Sequence, residues 1–191
     1  ASLTKHAAHF EKIYEEALAK DSRLKYVAQF ENGKASVGLE KGIILSTGNV
    51  KNAEGPNQKR DITTDFGDVS SDVDLVKLAT GPVFDVVGIE FDFVPLTNFV
   101  SFNYIFASNE YQYYFPCEYS DGFAFLIKEA ETSDPYKNLA VLPNTNTPVS
   151  STNVHPKIEA GIALNGDRYE GCAAINQNYF SKFNNKIQYL P

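Results

Sequence analysis

FDFVPLTNFVSFNYIFASNEYQYYFPCEYSDGFAF, residues 91–125, decides the fold class. It carries about half of the chain's phenylalanines and tyrosines, and much of it alternates apolar with polar residues. Phe91 and Phe93, then Val100, Phe102, Tyr104 and Phe106, then Phe123, Phe125 and Ile127 form three rows with a period of two. That period belongs to a half-buried β-strand, whose successive side chains leave on opposite faces of the pleat. Between the second and third rows lies a polar, tyrosine-rich excursion, residues 108–121. It holds Glu110, Tyr111, Tyr113, Tyr114, Cys117, Glu118, Tyr119 and Asp121. A wall of strands ending in an aromatic, acidic loop suits recognition better than catalysis.

Toward the N-terminus the period changes. Leu3, Ala7, Phe10, Tyr14 and Ala17 recur at three- and four-residue steps, which predicts an amphipathic helix within residues 1–22. Ser2 or Thr4 can cap it, and Asp21-Ser22 punctuates its end. His6 and His9 on that helix read as surface histidines, because no partner stands at matching spacing. From Leu24 the alternation is strand-like through Tyr26, Ala28 and Phe30, and Glu31-Asn32-Gly33 signals a turn. Short apolar runs follow at 37–39 and 43–45, then a long polar loop over 51–64. Further strands are expected at 86–94, 99–107, 122–127 and 139–142, with a Thr/Asn/Ser/Pro-rich loop at 143–156 and an Asn-, Gly- and Tyr-rich tail over 165–185. The expected fold is mainly β: an antiparallel β-sandwich, jelly-roll-like, with an N-terminal α-helix. The expected division is a helix over 1–22 docked on a sandwich domain over 23–191.

Bulk properties exclude several classes. The 191 residues fit one domain, and 43% hydrophobic with 21% charged residues is ordinary for a folded globular protein. A net charge of −7 argues against nucleic acid, since no run of cations is present to neutralise phosphates. No apolar run approaches membrane-spanning length. The chain begins at Ala1 and contains no methionine, which is expected of a processed or excised product whose upstream targeting sequence has been removed.

Cys117 and Cys172 are the two cysteines, without CxxC spacing or clustered histidine, so they make a poor metal site. Two readings stand: two buried free thiols, or a disulfide, which the polar surroundings FPCEY and EGCAA favour. A disulfide implies an oxidising, extracytoplasmic compartment.

Eight segments then carry a resemblance. GIILSTGNV (42–50), EGPN (54–57), SDVDL (71–75), IEFDFVP (89–95), VSFNYIFASNEY (100–111), CEYSDGFAFLI (117–127) and NLAVLPNTNTPVSSTNV (138–154) occur in that order, and GCAAINQNYFSKFN (171–184) follows. Together they resemble the bacterial choice-of-anchor L domain family. The resemblance implies a secreted or surface-attached β-rich domain joined to a C-terminal sorting or anchoring device, with no catalytic residues. It also implies a DGFT-like continuation after Ile187 and Tyr189 with further strands, which are absent here. The sandwich is therefore expected to lack its last strands, leaving open edges that a segment in cis or in trans completes.

Motif chemistry adds little to that picture. GxSxG, HExxH and GxxxxGK are all absent. A thiol–imidazole pair of Cys117 with His155 has no support from spacing and competes with the disulfide for the same sulfur. Glu110 with Asp121 is a carboxylate pair of the kind glycosidases use, and such residues at strand ends more often serve as turn or loop charges. The run Asp61, Asp65, Asp68, Asp72 and Asp74 lacks the EF-hand pattern, and Asp68, Asp72 and Asp74 are candidate calcium ligands. The leading expectation is a non-enzymatic adhesion or binding module, extracellular or at the cell surface. Glu110, Tyr111, Tyr113, Tyr114, Tyr119 and Asp121 would contact a surface glycan or protein, with tyrosine supplying rigid contact area. The alternatives are a structural subunit of an extracellular fibre, completed by strands from copies of itself, and a carbohydrate-active hydrolase.

Overall fold

A computed structural model describes residues 26–54, 64, 72–79 and 81–181. The expected helix over 1–22, the loop at 55–63, Asp61, Asp65, Asp68, and the tail from 182 onward lie outside the described residues. The described chain is mainly β in short antiparallel pairs, with few helical turns. β1 (Val27–Phe30) pairs with β2 (Gly42–Leu45) in the register Val27 to Leu45 and Phe30 to Gly42. The turn at Glu31-Asn32-Gly33 leads into one helical turn, Lys34–Val37, so the apolar run at 37–39 is no strand. Val50–Glu54 forms a 3-10 turn.

The third row of the aromatic block is a strand, as its alternation predicts. β3 (Leu126–Ile127) pairs with β4 (Lys137–Asn138). The same edge continues upstream: Phe123 N–H donates to the Val149 carbonyl (3.3 Å) and Ser151 N–H to that of Asp121 (3.0 Å). Residues 140–142 fold back on 147–149 through a tight turn at Thr145, with Leu142 and Val149 N–H groups donating across it. The loop expected over 143–156 is thus largely paired backbone. This region also holds most of the core, with Ala140, Leu142, Val154 and Ile158 buried beside the fully buried Ser151 and His155.

The strands expected at 86–94 and 99–107 are corrected by the structure, for neither forms a ladder. Pro95 lacks a donor between them, and Val94 and Phe99 stand 86% and 76% exposed. Their side chains still keep a strand's register. The Phe102 ring lies 4.2 Å from that of Phe125, and Tyr104 lies 5.0 Å from Phe123. Two steps forward along one segment match two steps back along the other, the relation of antiparallel neighbours. Alternation specifies which face a side chain takes; it does not supply the backbone partner. No two-layer sandwich is assembled among the described residues.

The longest paired element among the described residues runs over 155–175 and takes in the first part of the Asn-, Gly- and Tyr-rich tail. His155 with Ile175, Ile158 with Cys172, and β5 (Gly161–Ile162) with β6 (Arg168–Tyr169) share one antiparallel register. Gly166, at φ +88°, closes the hairpin, and its N–H donates to the Ala163 carbonyl at 3.0 Å. This is a type I turn followed by a left-handed glycine. At Gly171 the strands press together: an added Cβ would sit 1.8 Å from the Ile158 carbonyl oxygen. Gly171→Ala should therefore lower stability by about 3 kcal/mol in urea unfolding. Gly122→Ala, where a Cβ meets nothing within 4 Å, should stay within about 1 kcal/mol. Equal effects at the two positions would contradict the close approach.

Candidate functional site

The loop over 108–121 is built on local hydrogen bonds before it meets anything distant. The Ser108 hydroxyl accepts the Glu110 N–H (2.9 Å) and donates to Asp121 Oδ2 (2.5 Å), drawing the two ends of the loop together. Tyr113 sits at φ +50°, and the chain then enters a single helical turn, Phe115–Glu118, with Pro116 in its first turn, where a missing N–H does no harm. Pro116 is fully buried. Ser151 holds the exit: its hydroxyl donates to the Tyr119 carbonyl (3.1 Å) and accepts the Asp121 N–H (3.0 Å).

Cys117 and Cys172 form a disulfide, with Cα atoms 5.9 Å apart, joining the helical turn to the hairpin. The bond closes 55 residues of chain, which stabilises by about 4 kcal/mol in the chain-entropy model. It also settles the thiol–imidazole idea. Cys117 has no free thiol, and His155 is 1% exposed with Nδ1 2.8 Å from the Pro156 carbonyl, which accepts its proton.

The six expected contact residues divide into two groups. Glu110, Tyr111 and Asp121 gather on the inner side. The Tyr111 hydroxyl donates to the Val154 carbonyl (2.8 Å), and its ring meets Phe106 and Phe180 edge-on. Burial, with the Asp121 charge second, pushes the phenol up to about 12. The same two causes, burial first, raise the Glu110 carboxyl. Tyr113, Tyr114 and Tyr119 surround Phe115 on the outer side, with ring centroids 6.0, 5.2 and 5.5 Å from it. Of the four tyrosines expected to make contact, only Tyr119 is exposed, at 50%. Tyr111, Tyr113 and Tyr114 are half-buried because each is spent on packing the loop.

Of the acidic run, the described Asp72 and Asp74 play a local part. Asp72 caps the helix Val73–Leu78, its Oδ1 accepting the Asp74 and Leu75 N–H groups at 2.9 Å, and Asp74 pairs with Lys77 at 2.7 Å. Asp68, the third candidate calcium ligand, lies outside the described residues, and among the described residues no three His, Cys, Asp or Glu side chains gather to hold a metal.

Residues that the sequence reading passed over complete the site. Tyr169 on β6 lies 5.1 Å from Tyr114, tilted by 34°, so the hairpin supplies the second aromatic wall. A cleft of about 570 Å³ opens there, lined by Tyr114, Glu118, Asp167, Arg168, Tyr169 and Glu170. The Asn165-Gly166 pair carries the signal that would have found it, being a strong short-range mark of a hairpin.

Residues 4–190 match the family model described as the choice-of-anchor L domain, so the chain belongs to that family. The match is wider than the motif-bearing segments and takes in most of the N-terminal region. Membership makes this a surface-associated bacterial module, of a secreted or cell-surface protein, in a family not known for enzymes. No curated protein matches the chain, and no solved structure does. Among the described residues, no helix is long and apolar enough to cross a membrane.

The carboxylate environment gives a prediction with a definite sign. Because the folded state raises Glu110 above its ordinary value of 4.5, its contribution to stability is full below that value and is lost as pH rises through the folded pKa. Glu110→Gln should therefore raise the melting temperature at pH 7 and bring no gain at pH 4 or below. Tyr111 acts likewise at the alkaline end, its contribution fading between pH 10 and about 12. Lower stability of Glu110→Gln at pH 7 would contradict the desolvation account.

Proposed function

We propose that this chain is a non-enzymatic adhesion or binding module, acting outside the cell or at its surface on a glycan or protein. The observation that carries the reading is the aromatic loop over 108–121, held to the hairpin by Cys117–Cys172, with Glu118 and Tyr119 turned outward. A loop fixed in advance loses little freedom on binding, and tyrosine offers contact area at low entropic cost. The in-register stacking of Phe102 on Phe125 and Tyr104 on Phe123 supports the antiparallel sandwich as the fold behind it. Hydrolysis by Glu110 and Asp121 is less well supported, because Asp121 spends Oδ2 on Ser108 and Glu110 sits inward beside Tyr111.

A specific observation favours one second reading, a fibre subunit completed by a neighbour. Asp121, Phe123 and Phe125 direct their backbone groups to one edge of their strand, and among the described residues Gly122 and Ala124 find no backbone hydrogen bond on the other. Such an edge accepts an added strand, here one that displaces the segment whose Phe102 and Tyr104 lie against it. Calcium held by Asp68, Asp72 and Asp74 remains a proposal that a fall in melting temperature on chelation would support.

The test is a glycan and peptide array with a sizing column beside it. A monodisperse chain should bind one or more arrayed ligands, and Tyr119→Ala, compared at a temperature where both proteins are fully folded, should weaken that binding about tenfold. Concentration-dependent self-assembly abolished by Ala124→Pro would favour the fibre instead.

A further inference from the structure

The cleft between the helical turn and the hairpin tip has a lining whose chemistry selects among ligands. Its walls come from two elements that the disulfide fastens together: Glu118 follows Cys117 directly, and Glu170 stands two residues before Cys172. Arg168 lies on β6, opposite Ile162, and makes no ion pair among the described residues. Asp167 takes one hydrogen bond at Oδ2 from the Asn165 side-chain amide, 2.8 Å away. Tyr114 and Tyr169 form an aromatic pair at the cleft.

We infer that this cleft binds an uncharged saccharide, through the Tyr114–Tyr169 pair and the opposed hydrogen-bonding of Arg168 against Glu118, Asp167 and Glu170. A carboxylate only accepts hydrogen bonds and a guanidinium only donates them, whereas a hydroxyl does both. A polyol engages both kinds of group at once. An ammonium ligand is drawn by the three carboxylates but cannot accept from Arg168, so it leaves that donor unanswered. A carboxylated or sulfated sugar meets three carboxylates in a chain that already carries a net charge of −7. What Tyr114 and Tyr169 leave uncovered of each other lines the cleft and offers an apolar surface to the C–H face of a sugar ring. A pocket whose walls are cross-linked in advance loses less on ordering when it binds.

This inference rests on the reading of the chain as a surface-binding module and names the site and ligand class within it. The experiment is ligand-observed NMR and calorimetry on the full chain with glucose, galactose, mannose and their neutral disaccharides, at low and high salt. Arg168→Ala and Glu170→Gln change exposed side chains and should leave the melting temperature in place. The inference expects a neutral sugar to bind with little salt dependence, and each variant to weaken it about tenfold or more. Sugar binding that both variants leave intact overturns the site while sparing the module. Binding only of a lysine-rich peptide, fading with salt, overturns the ligand class. Binding of none of these sugars overturns the inference; if the glycan and peptide arrays are also empty, the module reading fails with it.

Discussion

The covalent bond between Cys117 and Cys172 is the constraint on which the candidate site depends. The buried apolar side chains among the described residues are few, and most belong to residues 140–158. The aromatic loop has its own hydrogen bonds, but nothing local fixes it relative to the hairpin. The disulfide does so, closing 55 residues of chain. Around it gather the secondary ties: Tyr111 to the Val154 carbonyl, Tyr114 against Tyr169, and Ser151 to the backbone at both Tyr119 and Asp121. Each links the loop to residues 30 or more positions away, and each needs the two parts already aligned.

Most of what alternation could reveal was legible. The period of two located the strand over 122–127, the start of the chain's β1 and the pairing near 139–142, and it placed Phe102 and Tyr104 on the face that meets Phe125 and Phe123. It failed where a backbone partner mattered. Residues 86–107 alternate well and form no ladder, because side-chain periodicity is blind to which N–H meets which carbonyl. The hairpin over 155–175 failed to stand out for the opposite reason: its inner positions include Gly161 and Gly171, whose value lies in room for the Tyr169 ring and for the Ile158 backbone rather than in apolar pattern.

The site was half legible on the same grounds. Cys117 and Cys172 could be paired from their surroundings, and Glu110, Tyr111, Tyr113, Tyr114, Tyr119 and Asp121 do share one loop. Their division into an inner group and an outer group was not readable, since it turns on which ring meets Val154 and which meets Phe115. Tyr169 and Arg168 come from a segment about 50 residues further on, and only the fold brings them to the loop. What had looked like a ridge of exposed tyrosines is better described as a packed aromatic cluster with Tyr119 outside and a polar cleft at its side.

Amide hydrogen exchange before and after reduction of the disulfide tests this account most directly. With Cys117–Cys172 reduced, protection should fall together in residues 108–121 and 155–175. The pairing of Val27–Phe30 with Gly42–Leu45 should keep its protection. Unchanged exchange in both the loop and the hairpin would contradict the claim that this bond holds the loop and the hairpin together.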